Sequence, residues 1–573
     1  MTQFRKKNTM LTHLIDYIRI ALYAILVVIL VILFQLWDKD HPKTVVSPVT
    51  TSMLSQTSNN NYVPQVATTH STSSPAQPNI SHSLQSATLD ENKVVVITDV
   101  MKVTIDRVGG TIIDVSLLKY PETLHSKDPF VLLNDSPSTR YIAQSGLLSK
   151  TGPDTQNGQA VYQADKTEYV LTPGEKEIDV ILHWKNTEGI IFSKRFTFKR
   201  DSYEIGLDYI IDNQSKQIWD GHLYLQLMRK NSPPPGMQGF VNFATYFGAA
   251  ISSKEKPFTK ISFKEMNNTN LNQSINGGWA AMIQHYFISA WVPDSHTTSD
   301  YFTKVTTDGL YTIGLIGPVL QVNPGQQIDT TAKFYAGPAI ADNLRQVAPG
   351  LQLTIDYGWL WFISVIIFWM MQKIYYLFGN WGLSIILVTL IIKLMFYHLS
   401  AKSYTSMSSL KKLQPKINAL KERFGEDKQK FTQATLELYR KEKVNPMSGC
   451  LPILIQIPVF IALYWVLIES VELRQAPFIF WIHDLSIKDP YYVLPVLMGL
   501  SMFLQQRLNP PPPDPIQAKV MMLMPVLFTI LFVNFPSGLM LYWFVNNTLS
   551  FLQQWHIMYR MEKADKAKKS HHS

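Results

Sequence analysis

The sequence is poor in cysteine, since Cys450 is the only one among 573 residues. A single cysteine cannot form an intrachain disulfide, so a small disulfide-stapled scaffold is excluded. The sequence also lacks a glycine-rich phosphate loop, a metal-ligand spacing of Cys or His, and a convincing nucleophile elbow. We therefore expect no cofactor, no metal, no ATP hydrolysis and no enzymatic activity.

The mean hydropathy of +0.00 is that of an average soluble protein. This average hides long apolar runs near the N-terminus and through the last third of the chain, separated by a polar stretch. Runs of that length can cross a lipid bilayer, so a purely soluble protein is excluded. The chain is long enough for roughly three or four domains.

Residues 20–37 form the first apolar run, and the basic residues of segment 1–19 precede it. A cleavable signal peptide is the alternative, but the polar sequence at 38–40 follows instead of a small-residue cleavage site. We favour an uncleaved transmembrane anchor over 20–37. The positive charges place residues 1–19 in the cytoplasm and the chain after the anchor outside.

The polar stretch has two parts. Residues 42–91 are mostly Ser, Thr, Asn, Gln and Pro, a composition that predicts a disordered linker. From 92 to 345 apolar and polar residues alternate with period two, and glycine pairs such as Gly109-Gly110 separate short runs. This pattern predicts one large antiparallel β-sandwich domain.

Apolar runs return after residue 356, and charge decides how they cross the membrane. The segment from 402 to 443 carries eleven basic and five acidic residues, which places it in the cytoplasm. With the N-terminus also inside, only one further span fits between the two. We therefore interpret 357–378, rich in Trp and Tyr, as an amphipathic helix at the outer membrane interface.

The remaining runs form a five-span core over residues 380–556. Its predicted spans are 381–399, 451–468, 491–504, 521–535 and 539–556. Residues 557–573 form a basic tail, so both termini are cytoplasmic and the chain has six spans.

The basic segment has an architecture of its own. The 3-4 spacing of a coiled-coil seam is followed by Leu410, Leu413, Ile417, Leu420 and Phe424. The predicted helix ends after Phe424, and the same spacing then resumes in a second helix. This predicts a cytoplasmic helical hairpin over 401–445. The basic exterior is either a solvated face with a topology signal or a docking surface for ribosomal RNA or anionic lipid. The candidate contact residues are Lys411, Lys412, Lys416, Lys421, Arg423, and in the tail Lys563, Lys566, Lys568 and Lys569.

Lys393 lies inside the span 381–399, where an ionised side chain is costly unless it meets water or a partner. A lysine this close to the cytoplasmic end of the span could instead extend its ammonium to the lipid headgroups. Polar residues in the spans suggest a wet cavity open to the cytoplasm, although each could simply bridge two helices. The candidates are Thr389, Gln456, Asn534, Asn546 and Asn547.

Several longer motifs are more specific than these patterns. The four that carry a resemblance are Asn445-Pro446-Met447-Ser448-Gly449-Cys450-Leu451-Pro452, Ser470-Val471-Glu472-Leu473-Arg474-Gln475-Ala476-Pro477, Trp481-Ile482-His483-Asp484-Leu485 and Phe535-Pro536-Ser537-Gly538-Leu539. In sequence and order they resemble the YidC/Oxa/Alb family of membrane protein insertases in its Gram-negative form. Gly277-Gly278-Trp279-Ala280 and Tyr335-Ala336-Gly337-Pro338 are similar to the periplasmic domain of that family.

The resemblance implies a bacterial inner-membrane protein with a polytopic α-helical bundle of six transmembrane helices and a large periplasmic β-sandwich. It implies insertion of nascent membrane proteins, alone or with the Sec translocon, with ribosome and lipids as further partners and no DNA. It also implies a hydrophilic groove in which a positive residue of the second span, here Lys393, meets the substrate, with an aromatic contact at Trp543. Many family members carry arginine at that position; lysine keeps the charge but lacks the planar fork.

Two other classes of protein remain open. A secondary transporter also places a charged residue in its bundle, but it usually has two repeated halves, which this sequence does not show. A membrane-anchored protein that binds or processes sugars would account for the β-sandwich. It would leave the five C-terminal spans and the basic hairpin without a role.

Overall fold

The computed structural model describes residues 63–64, 92–155, 158–233, 245–424, 427–442, 444, 451–509 and 515–570. The predicted segment 1–19, the anchor 20–37 and nearly all of the linker 42–91 lie outside these residues. All that follows belongs to one compact unit, Asn61–Ser573. Predictions for the excluded segments stay predictions.

Twenty-one strands build the β-rich part of the described chain. They are β1 Lys93–Ile97, β2 Met101–Asp106, β3 Thr111–Pro121, β4 Pro129–Leu133, β5 Tyr141–Leu148, β6 Asp154–Thr155, β7 Gly158–Gln159, β8 Gln163–Ala164, β9 Glu168–Val170, β10 Glu177–Lys185, β11 Ile190–Lys199, β12 Glu204–Asn213, β13 Trp219–Lys230, β14 Phe247–Ser252, β15 Thr259–Ile261, β16 Asn272–Asn276, β17 Trp279–Gln284, β18 Phe287–Pro293, β19 Thr298–Val305, β20 Leu310–Val322 and β21 Gln327–Pro338.

The strands form two sheets. One has twelve strands with the main order β16-β19-β20-β13-β5-β3-β2-β1-β9, and the other has nine in the order β15-β14-β17-β18-β21-β12-β11-β10-β8. Neighbours pair antiparallel except β1 with β9 and β5 with β6. The prediction of a large β-sandwich is confirmed, and these two short parallel pairs are exceptions to its antiparallel character.

Period-two burial explains why these segments are strands. In β12 the buried residues Ile205, Leu207, Tyr209 and Ile211 alternate with residues that are only partly covered. Successive side chains of a strand point to opposite faces, so one face of β12 enters the core between the sheets. The same alternation recurs in β11.

Lys194 of β11 is fully buried in that core and ties the sheets together. Its ammonium donates to the carbonyls of Gly109, Gly110 and Ser145 at 3.0, 2.7 and 2.9 Å. Burial lowers its pKa to about 7, and the nearby carboxylate of Asp154 opposes part of that shift. Three carbonyl dipoles replace the water that the charge loses.

The chain then becomes helical. The helices are α1 Phe263–Asn268 and α2 Ala341–Val347 beside the sheets, followed by α3 Trp361–Phe378, α4 Trp381–Met395, α5 Tyr397–Phe424, α6 Lys428–Lys441, α7 Leu451–Glu469, α8 Val493–Leu508, α9 Pro515–Phe532 and α10 Ser537–Ser570. The helix α10 packs against α4, α5 and α8, while α3 packs against α4 and α7. A helical C-terminal region is thereby confirmed.

Among the described residues, α3 alone is long and apolar enough to cross a bilayer as a single straight helix. The pair α4 and α5 passes the same test together but is bent by 68°. The helix α4 ends at Met395, inside the predicted span 381–399, and the span itself stays a prediction. Hydropathy continues through that bend and could not locate it. The interfacial position of 357–378 and the number of six spans stay predictions.

The β-sandwich is joined to the helical region through the loop that follows α7. Arg474 donates from one guanidinium nitrogen to the carbonyls of Pro121 and Glu122, at 2.8 and 3.0 Å. The ring of His285, in the turn between β17 and β18, lies 2.8 Å from the carbonyl of Ile468. A carbonyl can only accept, so Nε2 carries the proton. The bond satisfies a carbonyl at the end of α7 that the helix itself leaves free.

Backbone conformations with positive φ are concentrated in this joint between the β-sandwich and the helices. Five described residues other than glycine have positive φ, and three of them, Gln475, Phe480 and Tyr492, lie in the loop between α7 and α8. A fourth is His285, with φ of 53°. Such conformations cost energy and persist only where the surrounding contacts fix them. The joint between sandwich and helices is therefore specific.

We predict that His285 makes this joint weaker in acid. Burial lowers the pKa of His285 to about 4, with a smaller effect in the same direction from Arg474. Unfolded histidine titrates near 6.5, so between these values the unfolded state binds more protons and the stability contributed by His285 falls as the pH falls. The thermal stability advantage of the wild type over His285→Asn, measured in detergent, should shrink from pH 7 to pH 4.

The difference in thermal stability between the wild type and His285→Asn isolates the contribution of the histidine. Burial raises the pKa of Glu472 to about 7, and this group contributes an opposite pH dependence that is common to both proteins. A stability difference that is constant over pH 4 to 7 would contradict the prediction.

Candidate substrate groove

The predicted groove lies at the end of the helical bundle away from the β-sandwich. Asn380, which caps α4, donates to the carbonyl of Phe478 in the joint, while Lys393 lies 13 residues further on. In α7, Ile468 lies at the joint and Gln456 about 18 Å away at 1.5 Å per residue. Ser537 of α10 donates to Ile487 near the joint. Three helices therefore carry their polar residues toward the same far end.

Lys393 is held there by neutral oxygen atoms. Its ammonium lies 2.6 Å from the hydroxyl of Ser550 and 3.2 Å from the side-chain oxygen of Gln456. Within the described part of the chain, Lys393 takes part in none of the ion pairs. A partly buried cation without a counter-ion leaves a net positive charge for an incoming group.

Gln456 links Lys393 to two further polar side chains of α10. Its amide nitrogen lies 3.3 Å from the hydroxyl of Tyr542 and also donates to the side-chain oxygen of Asn546. Tyr542, Asn546 and Ser550 are four residues apart and share one helix face. Lys393, Gln456 and Asn546 are predicted groove residues, and the structure brings these three together.

A recess opens beside Lys393. It is small, with a cavity volume of about 30 Å³, and lies between α4, α5 and α7. Its lining residues are Ile392, Lys393, Phe396, Leu399, Ser400, Gln456 and Val459. An apolar wall with a few polar groups is the usual character of a site that binds part of another molecule.

Two other predicted residues lie close by but act differently. Thr389, one turn before Lys393, donates its hydroxyl to the carbonyl of Ile385 at 2.6 Å within its own helix. Trp543 packs its ring against the rings of Phe460 and Phe532, with centroids 4.7 Å apart in both pairs. In the described structure Trp543 thus joins α7, α9 and α10.

Asn534 does not join this cluster. It is exposed in the turn between α9 and α10, near the joint. Asn547 turns toward α8 instead, where it donates to the hydroxyl of Ser501 at 3.3 Å. Polar residues in apolar segments were chosen without knowing which helix face they occupy, and these two face elsewhere.

Ser550 was missed because a serine in a helix is an unremarkable residue. The signal was its spacing, since it follows Asn546 by four residues and Tyr542 by eight. Side chains at those intervals stack along one face of a helix. That spacing, combined with the buried lysine, would have predicted a partner for Lys393.

The helices α5 and α6 lie side by side beyond the groove. Leu413 and Ile417 are buried on the inner side, and Asp427 caps α6 by accepting from the amides of Gln429 and Lys430. The five candidate basic residues of α5 are exposed: Lys411, Lys412, Lys416, Lys421 and Arg423.

One of the basic candidates is held by an ion pair, and the side chains of three others lie outside the described residues. Lys416 forms an ion pair of 2.6 Å with Glu442 across the hairpin. In the tail, Lys563 is exposed, whereas the side chains of Lys566, Lys568 and Lys569 lie outside the described residues. The role of all these residues in docking stays a prediction.

The chain is similar to known proteins along nearly its whole length. A family model described as "YidC periplasmic domain" matches residues 93–370, and one described as "60Kd inner membrane protein" matches residues 373–565. A membrane protein insertase YidC of Pseudomonas putida is 45% identical over 562 residues, which is 96% of this chain and 99% of the relative. The chain belongs to the YidC family of membrane protein insertases.

The chain is also similar to a second insertase and to a solved structure. The membrane protein insertase YidC of Stutzerimonas stutzeri is 50% identical over 470 residues, covering 82% of this chain and 84% of that protein. A crystal structure titled as an active YidC insertase with its first transmembrane domain resolved is 19% identical, covers 81% of this chain and 92% of that one, and has a TM-score of 0.37. The resemblance found from the sequence motifs is thus confirmed by the family.

The structure shows where one of the family-like motifs lies. The motif Ser470-Val471-Glu472-Leu473-Arg474-Gln475-Ala476-Pro477 contains the arginine and glutamine that bond to the carbonyl of Pro121. The motif is therefore part of the joint between sandwich and helices, not of the groove. All the residues around Lys393 fall within the second family match, residues 373–565.

Proposed function

We propose that this chain inserts proteins into the bacterial inner membrane, and that the groove around Lys393 receives a polar segment of the incoming protein. The observation that carries the proposal is Lys393 itself, a cation among apolar helices that bonds only neutral groups of the described chain. Family membership supports the activity, because the relatives are named membrane protein insertases.

The mechanism follows from the cost of moving polar groups through hydrocarbon. Each unsatisfied backbone group costs several kcal/mol in lipid, so a translocating polar segment meets a large barrier. A recess that holds water and a positive charge keeps such a segment partly solvated and lowers the barrier. Partitioning of the substrate's apolar helix into lipid then completes insertion. These steps require no nucleotide hydrolysis by this chain.

The outer surfaces of the helices suit a lipid environment. The helix α9 exposes large apolar side chains, and these are Val520, Met522, Leu523, Val526, Leu527, Ile530 and Leu531. An apolar surface of this extent is unusual for a soluble monomer and marks contact with lipid or protein. This surface supports contact with the bilayer, and the proposal is a multi-pass inner-membrane protein with six spans and both termini cytoplasmic.

The proposed partners are those that the family resemblance implies. Nascent membrane proteins are the substrates, and the Sec translocon acts with the chain for some of them. The basic hairpin α5–α6 and the tail lie beyond the groove, where a ribosome or anionic lipid would be met. Ribosomal RNA is strongly negative, so an exposed basic surface favours it electrostatically.

One prediction of the proposed function concerns the charge of Lys393. Insertion of a small single-span substrate into proteoliposomes should fall by roughly tenfold for Lys393→Ala and further for Lys393→Glu, which repels acidic groups; tenfold corresponds to about 1.4 kcal/mol. Lys373→Ala, which removes an exposed lysine of α3, is the matched control and should remain near wild type. Full insertion by Lys393→Glu at normal protein levels would refute the charge role.

A second prediction concerns the tail. Replacing Lys563, Lys566, Lys568 and Lys569 by Gln should weaken ribosome co-sedimentation, with the difference largest at low salt, because released counter-ions drive such binding. Replacing Lys185, Lys199, Lys304 and Lys333 of the β-sandwich by Gln removes the same charge elsewhere and should have no effect. Binding that is unchanged across a salt titration would count against a docking role for the tail.

A further inference from the structure

The hydrogen bonds around Lys393 have a fixed direction, and Ser550 sets part of it. The hydroxyl of Ser550 lies 2.7 Å from the carbonyl of Asn546, one turn earlier in the same helix. A carbonyl can only accept, so the single hydroxyl proton of Ser550 is committed to it. That oxygen can then accept from the ammonium of Lys393 at 2.6 Å, and the side chain of Tyr404 also hydrogen-bonds with Ser550.

Gln456 is oriented in the same manner from a second helix. Its amide nitrogen faces the hydroxyl of Tyr542 and the side-chain oxygen of Asn546. The opposite atom, the side-chain oxygen, therefore faces Lys393 at 3.2 Å. Both neighbours of the ammonium are consequently oxygen acceptors, and they come from α7 and α10.

These two bonds account for two of the three donors of an ammonium. In the part of the chain that the structure describes, Lys393 has no third hydrogen-bond acceptor, and the recess beside it is walled mainly by Ile392, Phe396, Leu399 and Val459. Among the described residues one N–H is therefore left without an acceptor, and Lys393 itself lines the recess. A lysine stem is flexible, so without fixed acceptors the ammonium would not keep one direction.

We infer that Ser550 is a positioning residue, which with Gln456 holds Lys393 so that its ammonium offers a single N–H to one acceptor oxygen of the incoming polypeptide. This inference rests on the proposed function and adds the substrate chemistry, a single carboxylate or carbonyl oxygen in place of the paired acceptors that an arginine fork would take. Ser550 is 3% exposed and acts through Lys393, not by touching the substrate.

The test separates a hydroxyl acceptor from mere packing. Ser550→Thr keeps the hydroxyl, whereas Ser550→Val has nearly the same shape without it. In proteoliposome insertion, Ser550→Ala and Ser550→Val should lower the rate three- to tenfold, while Ser550→Thr stays within twofold of wild type. Equal rates for the Thr and Val variants would overturn the inference.

Ser501→Ala provides the matched control. Ser501 of α8 is also buried, bonds a carbonyl of its own helix at 2.7 Å and accepts from a neutral amide, but it contacts no cation. The insertion rate of the Ser501→Ala variant should remain within twofold of wild type. A loss as large as that of Ser550→Ala would show that any buried serine of the bundle matters, which would also overturn the inference.

A double-mutant comparison distinguishes this inference from the proposed function. In a Lys393→Met background, Ser550→Ala should change the residual rate by less than 1.5-fold, because its effect passes through the lysine. The same loss in both backgrounds would mean a structural role and contradict the inference alone. If Lys393→Met itself inserts normally, the proposed function fails first, and the inference falls with it.

Three substrates, with Asp, Asn or Leu at one position, identify the oxygen. A translocated segment with one Asp and the same segment with Asn should both show the Ser550→Ala loss, if a single oxygen is what the site takes. A loss confined to the Asp substrate assigns the oxygen to a carboxylate side chain. A loss that is retained with Leu at that position assigns it to a backbone carbonyl.

Discussion

The cost of placing one ammonium among apolar helices governs the helical part of this molecule. Insertion scales give roughly 2.5 to 3.5 kcal/mol for a lysine at the centre of a membrane helix, and neutral acceptors recover only part of this cost. Lys393 has two such acceptors and no carboxylate in the described chain. An internal carboxylate would have neutralised the positive charge of Lys393 within the protein. The arrangement instead leaves positive potential in the recess, where it can act on another polypeptide.

The β-sandwich and the groove occupy opposite ends of the same helices. Arg474 and His285 hold the end of α7 at the joint, and Gln456 lies on the same helix at the groove. The joint therefore helps to define where α7 stands relative to α4 and α10. The buried Lys194 gives the sandwich its own internal tie between sheets, so the end to which the helices attach is itself well determined.

Much of this architecture could be predicted from local patterns, and the exceptions have physical reasons. Alternation in β12 predicts a strand because burial has the same period as the pleat. The seam of α5 predicts buried Leu413 and Ile417 because those positions share a helix face. Hydropathy could not reveal the bend after Met395, since the apolar residues continue through it. Nor could it reveal that Asn534 lies at the joint or that Ser550 meets Lys393, because both depend on contacts between distant segments.

In the proposed function an incoming polypeptide enters the recess and meets the charge of Lys393. A photoreactive amino acid at Val459, which lines the recess without bonding to the lysine, tests it directly. Crosslinking to a ribosome-held nascent membrane segment should be strong in the wild type and fall several-fold with Lys393→Met, while a probe at the exposed Val496 of α8 should not respond to that change. Absence of a Val459 crosslink, or a crosslink that does not depend on Lys393, would contradict the account.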